Sequence, residues 1–210
     1  MSLLEDQDTF YRERVPEQFN RTLARQREAA LGDEKAARML EEMEAVRTSI
    51  IVQVDDGAAI HRHVFEIERG SMGYVDAPSR PPFLVLGHSL EDFPNLRREC
   101  GDSLLGFLGG LAGLGEEMRL TSQRVRSLRD LAGSLVFERV GPGGFLLFAH
   151  FGAEAPSPDP RTTIRLDQQT YRALQAGELD PQDAFLAGQI EIVGDEGMAV
   201  GLALAAAAPE

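Results

Sequence analysis

Four histidines (His61, His63, His88 and His150) and one cysteine, Cys100, are the nitrogen and sulfur donors available for chemistry in this chain. His61 and His63 alternate within HRHVFEIE, a strand-forming stretch. Both imidazoles would then point to one side and could share an ion, with His88, Glu66 or Asp92 as a third ligand. His-x-His is a short signal, and strand surfaces carry many histidines, so these residues alone assign no metal and remain weak candidates. His150 lies in FLLFAHF, the most apolar run. An imidazole there serves as a hydrogen-bonded core group or as one polar contact to a ligand head group. Cys100 has no base beside it in sequence and no partner for an intrachain disulfide, which suits a reducing compartment. No Ser-His-Asp order, HExxH, phosphate-binding glycine loop or CxxC pair occurs. What the chain offers instead is apolar side chains at regular spacing, and the elements that would carry them are well marked.

The clearest run is DQQTYRALQAGELDPQDAFLAGQIEIVGD, residues 167–195. Asp167 is a good N-cap, with Leu166 and Tyr171 at the spacing of a hydrophobic staple. Asp180 is a second cap, followed by Pro181 at the first helical position and Asp183 in the first turn. Gly177 and Gly188 end the two helices. GQIEIVGD then alternates as a half-buried strand with Ile190 and Ile192 inward, and Asp195 caps a last helix carrying Met198, Leu202 and Ala205. A fainter copy precedes it: a shift of 78 positions lands Asp167 on Ser89, Tyr171 on Phe93, Leu174 on Leu96, Asp180 on Asp102, Phe185 on Phe107 and Gly188 on Gly110. A repeat of one supersecondary unit constrains the architecture more than any single residue does.

The rest of the chain can be ordered around these two copies. Residues 3–30 are polar and helix-forming, with Pro16 as a break or a new start. Asp33 caps a helix running to about Thr48. IIVQV and HRHVFEIE form a hairpin through Asp56-Gly57. A loop holding Gly70, Gly73, Pro78, Pro81 and Pro82 leads to the strand FLVLG, then to helices capped by Ser89 and Asp102. The second unit replays this order: a helix over 116–131, the strand SLVFERV, the turn Pro142-Gly143-Gly144, the strand FLLFAHF, a proline-rich loop and TTIRL. FLLFAHF is apolar on both sides, which predicts a central place in the sheet. The helix over 116–131 can close one unit and open the next. Gly109, Gly110, Gly113 and Gly115 leave the first unit poor in wall-forming side chains.

Asp180, Pro181, Ala184, Phe185, Gly188, Ile190, Ile192, Gly194 and Asp195, with Tyr171, Leu174 and Gly177 upstream, resemble the sterol carrier protein type 2 lipid-binding domain. The resemblance covers residues 116–206 and extends more weakly to 33–115; Phe10, Val15, Pro16 and Phe19 look like the opening helix of such domains. It implies an α+β fold: a mixed β-sheet covered by helices, with a hydrophobic tunnel between them, duplicated here as two fused units. The expected division is an N-terminal helical segment (1–32), a degenerate sterol-carrier-like unit (33–115) and a lipid-binding unit (116–210). The family's lysines on the outward side of the strand after the glycine are replaced by Gln189, Glu191 and Val193, which argues against docking on an anionic membrane.

Composition agrees with a container. Hydrophobic residues make up 43% of the chain, enough for a real core. A net charge of -13 argues against nucleic acid and anionic bilayers as main partners. All cationic side chains but Lys35 are arginines, and arginines scattered among acids indicate a solvated, salt-bridged surface. No run is long and apolar enough to span a bilayer, and the first residues are acidic rather than a cleavable signal, so a cytoplasmic protein is expected.

Period-2 and helical spacing nominate the ligand-lining residues Phe145, Leu147, Phe151, Ile164, Tyr171, Leu174, Phe185, Ile190, Ile192, Met198 and Leu202. The same spacings describe an ordinary core. Small residues in the last helix favour a void, because alanine fills little space. The expected function is non-catalytic binding or carriage of a fatty acyl, sterol-like or isoprenoid molecule, without a cofactor, as accessory to a lipid-metabolising enzyme. Each buried methylene is worth about 0.8 kcal/mol. The alternatives are an oligomerisation scaffold, for example a homodimer without ligand, and a histidine-based metal-dependent enzyme.

Overall fold

The computed structural model describes residues 2–103, 105–111, 118–152, 155–157 and 159–206. The chain opens with helix α1 (Leu3–Thr9), a π-helical turn (Phe10–Arg14) and helix α2 (Val15–Ala29). Pro16 does not break this run. It falls in the first turn of α2, where a missing N–H costs little, and the wider turn before it sends the Val15 N–H back to the Phe10 carbonyl. Helix α3 (Glu34–Glu44) starts on Asp33, whose carboxylate accepts from the Lys35 and Ala36 amides. It stops short of the expected Thr48, because Thr48 already lies in strand β1 (Arg47–Asp55).

Strands β2 (Ile60–Glu68), β3 (Ser71–Val75) and β4 (Pro82–Ser89) follow, then helices α4 (Phe93–Cys100) and α5 (Gly106–Leu111). Three expectations need correction here. Residues 71–75 form an edge strand rather than a loop, paired to β2 through Phe65–Tyr74 and Ile67–Met72. The first helix after β4 begins at Phe93, because Ser89 still pairs with β1; its hydroxyl accepts from the Asp92 amide and shapes the turn instead. The second begins at Gly106, four residues beyond the expected Asp102 cap.

The second half holds helix α6 (Ser122–Arg129), strands β5 (Gly133–Val140), β6 (Phe145–Phe151) and β7 (Thr162–Asp167), helices α7 (Gln168–Gln175) and α8 (Pro181–Leu186), strand β8 (Ile190–Gly194) and helix α9 (Glu196–Ala206). The anticipated helix over 116–131 is shorter. It starts at Ser122 on a Thr121 cap, residues 118–121 are not helical, and 112–117 lie outside the described residues, as do Ala207 and Ala208. The caps Asp167, Asp180 and Asp195 all accept from backbone amides of the helices they precede. Gly177 and Gly188 take the positive φ of 69° and 70° that lets a helix end sharply.

The eight strands of the described residues make one sheet, in the order β3-β2-β1-β4-β6-β5-β7-β8. The fold is α+β with a mixed sheet, as expected, and β6 is central. The strand order also shows part of the repeat. β1 pairs antiparallel with β2 and parallel with β4; β5 pairs antiparallel with β6 and parallel with β7. The outer edge of β7 is then closed by β8, whereas the corresponding edge of β4 is closed by β6 from the other half. One hydrophobic cluster runs through both halves, from Phe65, Phe83 and Leu84 to Phe137, Phe151 and Leu174.

Candidate functional site

Register assembles the inward face of the second half. One row crosses four strands as Leu147, Phe137, Ile164 and Ile192; the next crosses as Phe145, Arg139, Leu166 and Ile190. Phe151 lies beside Leu84. Tyr171 and Leu174 from α7, and Met198 and Leu202 from α9, reach the same cluster and are buried. Of the eleven residues nominated from the sequence, nine are buried together and Ile192 packs against them half-buried. Phe185 does not join them. It is 39% exposed, and the α8 residue that points inward is Ala184. The outward face is polar at the matching position, where Arg165 pairs with Glu138 at 2.5 Å and with Glu191 at 3.6 Å.

Two clefts of about 20 Å³, each with room for about one water, open in the molecule, and one of them reaches the apolar rows at Leu147. One is lined by Phe10, Tyr11, Leu86, His88, Cys100 and Leu147. The other lies at Phe19, Met43, Leu105 and Met118.

The histidines do not converge. His61 turns out of the strand to Asp56 at 2.6 Å, closing its own hairpin. His63 points inward, where its Nε2 accepts from the Gln7 amide at 2.6 Å and its Nδ1–H faces the Tyr74 hydroxyl at 3.3 Å. His88 donates Nδ1–H to the Ser89 carbonyl at 2.7 Å, leaving Nε2 to accept from Tyr11 at 2.6 Å. Burial holds His63 well below its ordinary range, at about 4, and lowers His88 too, so both are neutral hydrogen-bonding groups at pH 7. His150 is hydrogen-bonded to Ser134 on the sheet face opposite the apolar rows, which removes it from head-group contact. Among the described residues no group of three or more His, Cys, Asp or Glu side chains is placed to hold a metal. Burial pushes the Cys100 thiol up to about 12, the opposite of what a nucleophile needs.

Sequence reasoning assigned the arginines to a solvated surface and so missed two that are 1% exposed, Arg124 and Arg139. Arg124 donates to the Ala206 carbonyl at 2.9 Å and closes the end of α9. Arg139 stands on the inward face, and its signal was the alternation Leu135, Phe137, Arg139 along β5. Its NH1 donates to the Val140 carbonyl at 3.0 Å; its NH2 donates to the Pro142 carbonyl at 3.1 Å and to that of Gly143. Glu99 from α4, also buried, approaches NH2 to 3.6 Å.

Comparison with known proteins bears on the same half. No curated protein matches the chain. A sterol carrier protein 2-like 2 from Aedes aegypti aligns over 36% of this chain and 74% of its own, at 23% identity and a TM-score of 0.29. A sterol carrier protein 2 from Yarrowia lipolytica aligns over 38% and 76%, at 18% identity and a TM-score of 0.31. Among the described residues no helix is long and apolar enough to cross a membrane. The match to a protein family falls on the strands and helices that form the apolar rows, from the Thr121 cap to the end of α9: residues 121–206 of this chain match the model of the SCP-2 sterol transfer family.

Proposed function

We propose that the chain binds a hydrophobic small molecule between the inward face of β5–β8 and the helices α7, α8 and α9, and releases it unchanged. The family match over residues 121–206, which coincides with the apolar rows, carries this reading. The division at residues 32 and 115 belongs to it: an N-terminal helical cover, a supporting unit and a binding unit, serving an enzyme of lipid metabolism in the cytoplasm.

The cleft that reaches the rows at Leu147 is water-sized, so uptake there requires a wall to move. Helix α8 is the wall that moves most cheaply. It is six residues long and buries only Ala184, while Phe185 and Leu186 are 39% and 73% exposed. Moving it forfeits little buried apolar area, and closing it over an acyl or sterol body regains that area with the ligand's own.

Native mass spectrometry of protein purified from cells tests the reading, with an acyl, sterol or isoprenoid adduct as the expected result. A clean apo dimer would favour a scaffold, and stoichiometric metal an enzyme. Leu202, on the buried side of α9, is the second handle. Leu202→Trp should fill the space the ligand needs and cut uptake at least about tenfold while leaving the circular dichroism spectrum intact. Undiminished uptake would remove this face as the site.

A further inference from the structure

The apolar rows have one charged interruption. Arg139 sits between Phe145 and Leu166, with its guanidinium carbon 5.9 Å from the centre of the Phe145 ring. A buried guanidinium is costly unless each N–H is answered and the charge is paired. Here the answer is incomplete. Three turn carbonyls take NH1 and NH2, while Nε has no partner. The paired anion, Glu99, stops at 3.6 Å from NH2, beyond the 2.7–2.9 Å typical of a charge-assisted hydrogen bond. The Glu99 carboxylate is held instead by Gln168, whose Nε2 donates to it at 2.9 Å, and is approached by Arg98 at 3.9 Å.

Glu99 lies in the last turn of α4, next to Cys100 and Gly101, which line the apolar cleft against Leu147. Gly101 has φ +60°, which favours glycine, and a Cβ there would meet nothing within 4 Å, so the end of α4 is not packed against a neighbour at this position. The carboxylate that neutralises Arg139 therefore comes from the other half of the sheet, on a short helix beside the cleft.

We propose that Arg139 is the receptor for the carboxylate of a fatty acid, and that Glu99 is the internal carboxylate that stands in for it when no ligand is bound. An incoming carboxylate takes the place of Glu99, accepts from the unpartnered Nε of Arg139 and from Gln168, and leaves the alkyl chain among Phe137, Leu147 and Phe145. Glu99 moves outward with the end of α4. The inference rests on the ligand-binding reading above and adds the ligand class: a free acid in preference to a neutral ester or sterol.

The test is calorimetric titration of the full chain with palmitate and with methyl palmitate, using wild type, Glu99→Gln and Arg139→Gln. Wild type should prefer the acid. Glu99→Gln, which removes the competing charge and keeps the volume, should raise palmitate affinity about tenfold and leave the ester unchanged. Arg139→Gln should erase the preference while ester binding persists. Equal affinity for acid and ester in wild type, or a Glu99→Gln variant with an unaltered acid-to-ester ratio, overturns Arg139 as receptor and leaves the binding reading standing. Binding of neither probe to any variant overturns both. If Arg139→Gln does not fold, the Glu99→Gln ratio decides alone.

Discussion

The two halves of the sheet share a three-strand order, β2-β1-β4 and β6-β5-β7, and fill its inward face differently. On β2 and β4, His63 and His88 interrupt the apolar side chains, and both are answered by Gln7 and Tyr11 from the N-terminal helical run. These are neutral hydrogen bonds between buried groups, and they fasten a cover in place. On β5 the interruption is Arg139, a charge whose partner stays at 3.6 Å. The contrast teaches that a repeated scaffold need not repeat its role. The histidine inserts are answered at both ring nitrogens, whereas the arginine insert keeps an unpartnered Nε.

The largest effect should come from separating the halves. Residues 116–210 expressed alone would leave the β6 edge, which pairs with β4 through Leu84–Phe151 and Leu86–Ala149, without its neighbour. That fragment should aggregate or remain unfolded in sedimentation and circular dichroism; a monomeric fragment with cooperative melting would make the halves autonomous.

Next in size is the fastening of the cover. Tyr11→Phe removes the donor to His88 and strands a buried acceptor, which should cost about 1–3 kcal/mol in denaturant unfolding. Acid should attack the same place. The folded pKa of His63 is about 4 against an ordinary 6.5. Between those values the unfolded chain binds a proton that the folded chain refuses, so stability present above pH 6.5 declines as pH falls toward 4. Urea midpoints at pH 7 and pH 4.5 should differ, and His63→Phe should shrink the difference. An unchanged acid limb would show that this fastening is not what titrates.

The smallest effects should separate by kind. Asp33→Ala and Asp180→Ala each remove a helix cap worth about 1 kcal/mol. Helix α3 packs through the buried Met39 and Met43, so the first loss should lower the midpoint for the whole chain. Helix α8 buries only Ala184, so the second should appear as faster local hydrogen exchange with a smaller change in melting.

The sequence disclosed what local chemistry controls. Asp33, Asp167, Asp180 and Asp195 are short-range caps, and the helices they announce are present. The strands β5 to β8 follow their alternation, and FLLFAHF declares its central place by being apolar on both sides. Strand β3 was hidden because Gly73 and the serine at its start suit a turn equally well, and pairing with β2 decides the matter. Phe185 was misjudged as an inward anchor because a helix of six residues defines no clear face, and small Ala184 took the buried position. Arg139 was legible by parity alone, but the general habit of arginine to seek water outweighed it. Glu99 was not legible at all, since its meeting with Arg139 depends on β6 joining the two halves.

That junction also bears on how the chain is made. Strand β4 leaves the ribosome well before β6, and the edge that β6 will close must wait on the order of several seconds at ordinary translation speed. During that interval Phe83, Leu84 and Leu86 stand beside a vacant row of amides and carbonyls, so the nascent first half is the stage at which chaperone capture would matter most.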